Sequence, residues 1–178
     1  GIVSEFRPGG DPDNLTITQI TSSNASVTIL SSGNPLPAPI VLGPGRRVPP
    51  TENVDDGGGN VETAGTFVAV NDAIDFYESL EGMRLQANDG SVVGATRSFG
   101  EITLLPDEGS WATGLRTARG VILLGGYEDP NPERIIVDDE ILRDLAPPPR
   151  PAKAMPDMNV GDSLTSPVIG PLDYSFSN

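Results

Sequence analysis

The chain has no cysteine and no histidine, and Lys153 is its single lysine. Without cysteine, disulfides, thiolate chemistry and cysteine-bound zinc are excluded. Without histidine, the usual general base at neutral pH and any Ser-His-Asp triad are excluded as well. Aromatic residues make up only 5% of the chain. No segment approaches the ~20 consecutive apolar residues of a membrane helix, so membrane insertion is not expected.

Glycine and proline are abundant instead, with 21 and 18 residues among 178. This content is too high for a helical protein and is typical of short strands joined by many turns and loops. Hydrophobic residues make up 37% of the chain, which supports a modest core. The composition therefore predicts an all-β fold with long Pro/Gly-rich loops.

The net charge of −14 is spread along the chain. Such a surface repels nucleic-acid phosphates and anionic lipid on average, and it attracts divalent cations. A solubilising surface is the interpretation that the charge favours over a specific acidic site. The chain shows neither an initiator methionine nor a signal peptide, which predicts a fragment or a processed form.

Residues 1–69 are expected to form hairpin strands followed by an irregular connection. Segments Gly1–Arg7 and Leu15–Ile20 flank a Gly/Asp turn and predict a β-hairpin, and Ala25–Leu30 predicts a third strand. Between Ser31 and Gly65, prolines and glycines are too frequent for the centre of a sheet.

A helix leading into a strand is predicted next. Asn71 or Asp72 can cap a helix over Ala73–Leu80, and residues 83–87 then alternate as in a strand. The sequence "NDG" at 88–90 predicts a hairpin turn. The carboxylates of the helix lie three residues apart, at Asp75, Glu78 and Glu81. A solvated helix face is favoured there over paired acid–base chemistry.

Further strands are predicted towards the C-terminus, at Gly100–Leu105, Gly120–Gly126 and Glu133–Asp139. A proline-rich crossing follows over Asp144–Asp162. Ser163–Asn178 is then expected to form an edge or bulged strand pair, since two prolines interrupt it.

Two groups of carboxylates are weak candidates for a metal site. Asp55 and Asp56 lie in the polar loop, where a calcium site is conceivable although the EF-hand spacing is lacking. Asp138, Asp139 and Glu140 end a predicted strand and could hold Mg²⁺ or Ca²⁺. An exposed loop in the first case and an acidic strand end in the second are the favoured alternatives.

The best candidates for ligand binding are basic and aromatic residues of the second half. Trp111, Arg116 and Arg119 share one glycine-bounded loop, and Arg84 and Arg97 could extend the patch. An aromatic ring beside arginines is what single-stranded nucleic acid requires, because bases stack and phosphates need positive charge. The alternative is that Trp111 caps a barrel while the arginines pair with nearby acids.

Several long phrases, in order along nearly the whole chain, resemble the non-catalytic β region of the ExeM/NucH-like secreted bacterial nucleases. They are "VSEF…LTITQI…VTILSSGNPLPAPIVL", "YESLEGMRLQAND", "FGEI", "RTARG", "NPERIIVDDE" and "VGDSLTSPVIGPLDYSFSN". In that family an OB-fold-like segment precedes an endonuclease/exonuclease/phosphatase catalytic domain. The resemblance implies that this chain begins within a first OB-like unit and stops before the catalytic domain.

The resemblance implies a fold and an accessory role. Residues 70–178 are expected to form an OB-like, partly open barrel, with residues 1–69 as the end of the preceding unit. The family's catalytic domain uses histidines and acidic metal ligands, and this chain has no histidine. No catalytic residue is therefore carried over, and any divalent metal is expected in the missing catalytic domain. The module is expected to be extracellular and to position the catalytic domain or, weakly, DNA.

Two alternatives remain open. One is a structural spacer with no ligand of its own. The other is a metal hydrolase using Asp138, Asp139 and Glu140.

Overall fold

The computed structural model describes residues 1–10, 12, 14–21, 26–57, 62–63, 65–114, 116–126, 130–149 and 151–174. Over these ranges the chain is mostly strands, as predicted, with two short helices. The strands are β1 (Val3–Phe6), β2 (Ile17–Ile20), β3 (Ile40–Leu42), β4 (Arg84–Ala87), β5 (Ser91–Gly94), β6 (Ile102–Leu105), β7 (Ile135–Val137) and β8 (Val168–Pro171). The helices are α1 (Ala73–Glu78) and α2 (Glu140–Leu145).

Within the described ranges, the strands form one two-stranded and two three-stranded sheets. Antiparallel β1 and β2 make the predicted N-terminal hairpin, with Val3 opposite Ile20. The second sheet has the order β3-β4-β8, and the third has the order β5-β6-β7. Strand β3 lies before residue 70, and its parallel partner β4 lies after residue 70. This sheet therefore combines strands from both predicted segments, residues 1–69 and residues 70–178.

A long bent ribbon joins the two three-stranded sheets. Strand β4 pairs with β8, and the residues that follow β4 and precede β8 continue this antiparallel pairing past β5. The Val92 amide donates to the Asp162 carbonyl at 2.9 Å, and the Thr96 amide donates to the Met158 carbonyl at 3.0 Å. Residues 84–96 thus run beside residues 158–171 throughout, and each half of the ribbon belongs to a different sheet.

The predicted hairpin turn at 88–90 is wrong. Strands β4 and β5 have other partners, β8 and β6, so the chain bends at this point without reversing. Asp89 adopts a left-handed conformation with φ 41°, a conformation that also suits a β-bulge. The same residue types favour hairpin turns and bulges, and the pairing partners decide between them.

Helix α1 covers the β3-β4-β8 sheet and supplies one core cluster. Phe76 and Leu80 pack with Leu42 and Leu85, and all four are buried. Burying such a side chain contributes about 1.5–3 kcal/mol. The predicted helix is confirmed, with Asp72 at its N-cap, and the chain leaves it through Gly82 at φ 66°. A second cluster joins Val93, Leu105 and Ile122 on the β5-β6-β7 sheet.

Two predicted strands do not form, and a third region forms only in part. Residues 26–30 of the predicted Ala25–Leu30 strand have no regular structure, because no sheet lies beside them; Ala25 is outside the described residues. Residues 120–126 also make no strand; Ile122 forms a single bridge to Arg116 instead. The C-terminal pair is represented by β8 alone, at the edge of its sheet, and residues 175–178 lie outside the description.

Candidate functional site

Arg116 is bonded within the molecule. Its guanidinium donates to the carbonyl of Glu108 at 2.7 Å, to the hydroxyl of Ser91 at 2.9 Å and to the carbonyl of Gly120 at 3.3 Å. These bonds tie the 116–120 turn to the start of β5 and to the end of β6. A guanidinium with three internal acceptors has few donors left for a phosphate.

Two other candidate arginines also have internal partners. Arg84 donates to the carbonyl of Pro37 at 2.9 Å, which fixes the extended segment before β3. Arg97 lies 3.4 Å from the carboxylate of Glu101, but its side chain is 64% exposed. An exposed pair of this kind contributes little to stability, so Arg97 keeps its charge available to a ligand.

Trp111 and Arg119 lie in the loop that follows β6. Trp111 is half-buried, and its indole N–H has no hydrogen-bond partner in the part of the chain that the structure describes. Arg119 is exposed. The Trp111 ring is therefore partly packed against the protein, whereas the Arg119 side chain is exposed to solvent.

The five candidates do not share one surface. Arg97 lies in the loop that joins β5 to β6, whereas Arg116 contacts the opposite end of the same strand pair. Four strand residues span roughly 10 Å, so the loop that holds Arg97 and the strand end that Arg116 contacts lie at opposite ends of β5. Arg84 belongs to the other three-stranded sheet. Trp111, Arg116 and Arg119 share the segment that follows β6, whereas Arg84 lies in β4 and Arg97 in the loop before β6.

The acidic candidates at the end of β7 make local main-chain bonds. Asp139 is fully buried, and its Oδ2 accepts hydrogen bonds from the amides of Ala154 and, at 3.0 Å, Met155. Asp138 is exposed and accepts the amide of Glu140 at 3.0 Å at the start of α2. These contacts anchor the proline-rich crossing and fix the turn that leads into α2.

Asp55 and Asp56 lie beside the N-terminus of α1. The side chain of Asn53 donates to the carboxylate of buried Asp72 at 2.5 Å, and Asp55 accepts the amide of Gly57 at 2.8 Å. Burial, followed by the negative charge of Asp56, raises the pKa of Asp72. Among the described residues, no three acidic side chains lie close enough to hold a metal ion together.

Several carboxylates act on the charge of Glu78 in α1. They belong to Glu81 after the helix, Glu62 of the connecting loop, Glu5 of β1 and Asp75 of the helix itself. Burial and then the charges of these groups raise the pKa of Glu78 to about 7. The spacing of the helix carboxylates was visible in the sequence, but the influence of Glu5 and Glu62 was not.

An open groove of about 680 Å³ lies on the β3-β4-β8 sheet. Its lining includes Leu36, Ile40, Met83, Ile141 and Ile169, together with Arg84. Three of these side chains, Leu36, Met83 and Ile141, are 72%, 45% and 55% exposed. The groove is thus shallow and mostly apolar.

The described residues define an all-β module whose polar groups mainly bond one another. The chain belongs to the family described as "Domain of unknown function (DUF8508)", whose model matches residues 41–178. The match begins within β3, so the β1–β2 hairpin lies outside it. No curated protein and no solved structure matches the chain significantly. None of the described helices has the length and apolar character that crossing a membrane requires.

Proposed function

We propose that the chain is a non-catalytic accessory module of a secreted bacterial nuclease, and that it positions the catalytic domain of the same polypeptide. The resemblance of its phrases to the ExeM/NucH-like nucleases supports the nuclease association. The catalytic domain, with its divalent metal, would be of the endonuclease/exonuclease/phosphatase type and would lie outside this chain.

The bent ribbon supports an OB-like, partly open barrel for residues 70–178. An OB-fold is a five-stranded, partly open Greek-key barrel. Closing a sheet in this way requires strands that bend and change sheets, and bulges supply the bend. Residues 84–96 bend at Asp89 and contribute to both three-stranded sheets. A barrel of this kind offers a rigid support for a neighbouring domain.

The observation that carries the positioning role is exposed apolar surface in the N-terminal segment. Eight large apolar side chains there are at least 48% exposed: Ile2, Val3, Phe6, Ile20, Val27, Ile29, Leu30 and Leu36. A two-stranded hairpin is marginally stable in water without packing partners. Apolar patches on this scale mark contact surfaces with protein. A catalytic domain packed on this segment would cover them.

DNA positioning is the second candidate. The exposed side chains of Arg97 and Arg119 favour it, as does the half-buried Trp111 ring in the same loop as Arg119. Against it stand the internal bonds of Arg116 and Arg84, and the net charge of −14. Phosphate binding needs several positive groups on one surface, because each neutralised phosphate adds to affinity.

Two double variants of the full-length polypeptide separate the candidates. The first, Val3→Asp with Ile20→Asp, places charge on an exposed cross-strand pair of the hairpin. The second, Arg97→Glu with Arg119→Glu, reverses the two exposed cations. Nuclease activity on DNA is measured for both at several salt concentrations, together with the thermal stability of the catalytic domain.

The positioning proposal expects the hairpin variant to lower nuclease activity or stability severalfold and the arginine variant to leave both unchanged. Loss of DNA affinity and a shallower salt dependence in the arginine variant alone would establish DNA positioning instead. If neither variant changes activity, stability or salt dependence, the module is a spacer.

A further inference from the structure

Residues 26–30 form a stretch of chain whose main-chain groups have no partners within the described residues. The chain runs here without turn, bend or positive φ, and Val27, Ile29 and Leu30 are 89%, 81% and 92% exposed. None of the hydrogen bonds in the described part of the chain involves an amide or carbonyl of this stretch. Since main-chain groups of an extended chain point alternately to its two edges, both edges carry free donors and acceptors.

The edge of the neighbouring strand β2 is covered. An exposed strand edge pairs readily with another chain, and proteins block it with proline, charge or a local partner. The amides of Thr16 and Thr18, on the side of β2 that faces away from β1, donate to the carboxylates of Glu62 and Glu81. Side chains therefore take the place of a further strand at this edge.

Prolines protect the segment between residues 26–30 and β3. Pro35, Pro37 and Pro39 recur at every second position, so they remove each main-chain donor from one edge of this segment. Residues 26–30 carry neither proline nor charge. They are thus an unprotected strand edge, and a partner strand is the structure that satisfies such an edge.

We propose that residues 26–30 become a β-strand by pairing with an edge strand of the catalytic domain of the same polypeptide, an inference that rests on the proposed positioning role. Charge favours this partner. No side chain between Asn14 and Gly45 is charged, although the net charge of the chain is −14. The stretch therefore fits an uncharged, apolar strand. A second copy would bring a further −14, and this repulsion opposes pairing between copies.

A short strand suffices because the pairing is intramolecular. A stretch of this length is within the usual range of strands and supplies about two or three main-chain hydrogen bonds to one partner. A partner in the same polypeptide has an effective concentration of about 1 mM. Val27 and Ile29 share one face of the extended chain, so both would be covered by the side chains of the added strand.

Hydrogen–deuterium exchange of the full-length polypeptide tests the pairing when fragmentation mass spectrometry reads it at single residues. One added strand protects alternate amides, because every second amide faces the same edge. Either Val27 and Ile29 or Thr28 and Leu30 should therefore exchange about tenfold more slowly than the other pair, or slower still. Fast exchange throughout residues 26–30, or protection without alternation, would overturn the proposal.

Thr28→Pro and Ile29→Pro are matched variants, because their amides face opposite edges and each proline removes one of them. The proline on the paired edge should abolish the alternating protection. The proline on the outer edge should leave it in place, since outer edges tolerate proline. Retention of the protection in both variants would contradict strand pairing.

Photo-crosslinking from p-benzoylphenylalanine in place of Leu30 identifies the partner. A crosslink to the catalytic domain supports the proposal. A crosslink to a second copy, or protection that rises with protein concentration, overturns it.

The hairpin variant Val3→Asp with Ile20→Asp separates this inference from the positioning role. If this variant lowers nuclease activity while residues 26–30 exchange fast, the positioning role stands and strand pairing fails. If residues 26–30 are protected and crosslinked, but neither the hairpin variant nor the prolines change activity or stability, strand pairing stands and the positioning role fails.

Discussion

Replacing Asp139 by alanine should destabilise the fold strongly, although this residue was first considered as a metal ligand. The carboxylate is fully buried, and it accepts the amides of both Ala154 and Met155. Removing it leaves two main-chain donors of the proline-rich crossing without an acceptor. No other element replaces this anchor between the end of β7 and residues 154–155 within the described hydrogen bonds.

The magnitude follows from the loss of two part-buried hydrogen bonds to a charged acceptor. Each such bond contributes about 1.5–3 kcal/mol, so Asp139→Ala should lower the free energy of unfolding by about 4 kcal/mol. For a chain of 178 residues this corresponds to a fall of about 10 °C in Tm. Asp139→Asn keeps a neutral oxygen for both amides, so its cost should be about 1–2 kcal/mol.

Urea unfolding followed by circular dichroism measures these differences. The control is Asp138→Ala, which removes only an exposed hydrogen bond to the Glu140 amide before α2 and should cost about 1 kcal/mol or less. Equal losses for Asp138→Ala and Asp139→Ala, both abolished by a chelator, would refute this reasoning. That result would point to a shared metal ion as the source of stability.

Three further predictions concern packing and titration. Gly100→Ala should destabilise the fold by more than 1 kcal/mol in urea unfolding, because φ is 91° and a Cβ would collide with Asp139; an unchanged midpoint would contradict this. Burial and then the charge of Glu133 raise the pKa of Tyr77 above its ordinary range, so its phenol should stay protonated between pH 8 and 11. Tyr77→Phe should therefore leave the absorbance change at 295 nm in that range unaltered; a loss of one tyrosine's signal would show that the phenol is accessible. Leu104→Ala, at a fully buried position, should cost about 2–5 kcal/mol by calorimetry; a cost below 1 kcal/mol would mean that this part of the core is loosely packed.

Local sequence patterns correctly predicted the elements whose backbone conformation is set by residues close together in the sequence. The hairpin of β1 and β2, helix α1 and strand β4 form where alternation or a cap and a glycine indicated them. In each case the residues that set the backbone conformation are neighbours in sequence. The OB-like barrel and the nuclease association stay predictions, because they concern how elements assemble and what the assembly binds.

Elements that depend on distant partners were predicted less well. Residues 26–30 have strand-like alternation, but Val27 and Ile29 remain 89% and 81% exposed, so no sheet face stabilises them. Helix α2 was not predicted, because the acidic residues at its start, Asp138 to Glu140, were interpreted as the end of a strand. The carboxylates of Asp138 and Asp139 are adjacent in sequence, yet only one is buried against the crossing.

The sequence alone determined the all-β class, the acidic surface and the exclusion of cysteine and histidine chemistry, since these follow from composition and short-range alternation. Only the tertiary structure decided that residues 88–90 bend a continuous ribbon instead of closing a hairpin. It also decided that Arg116 is bonded internally and that four carboxylates act on the charge of Glu78. The physical reason is the same in each case: a hydrogen bond or a charge acts through space, and its partners lie far away along the chain.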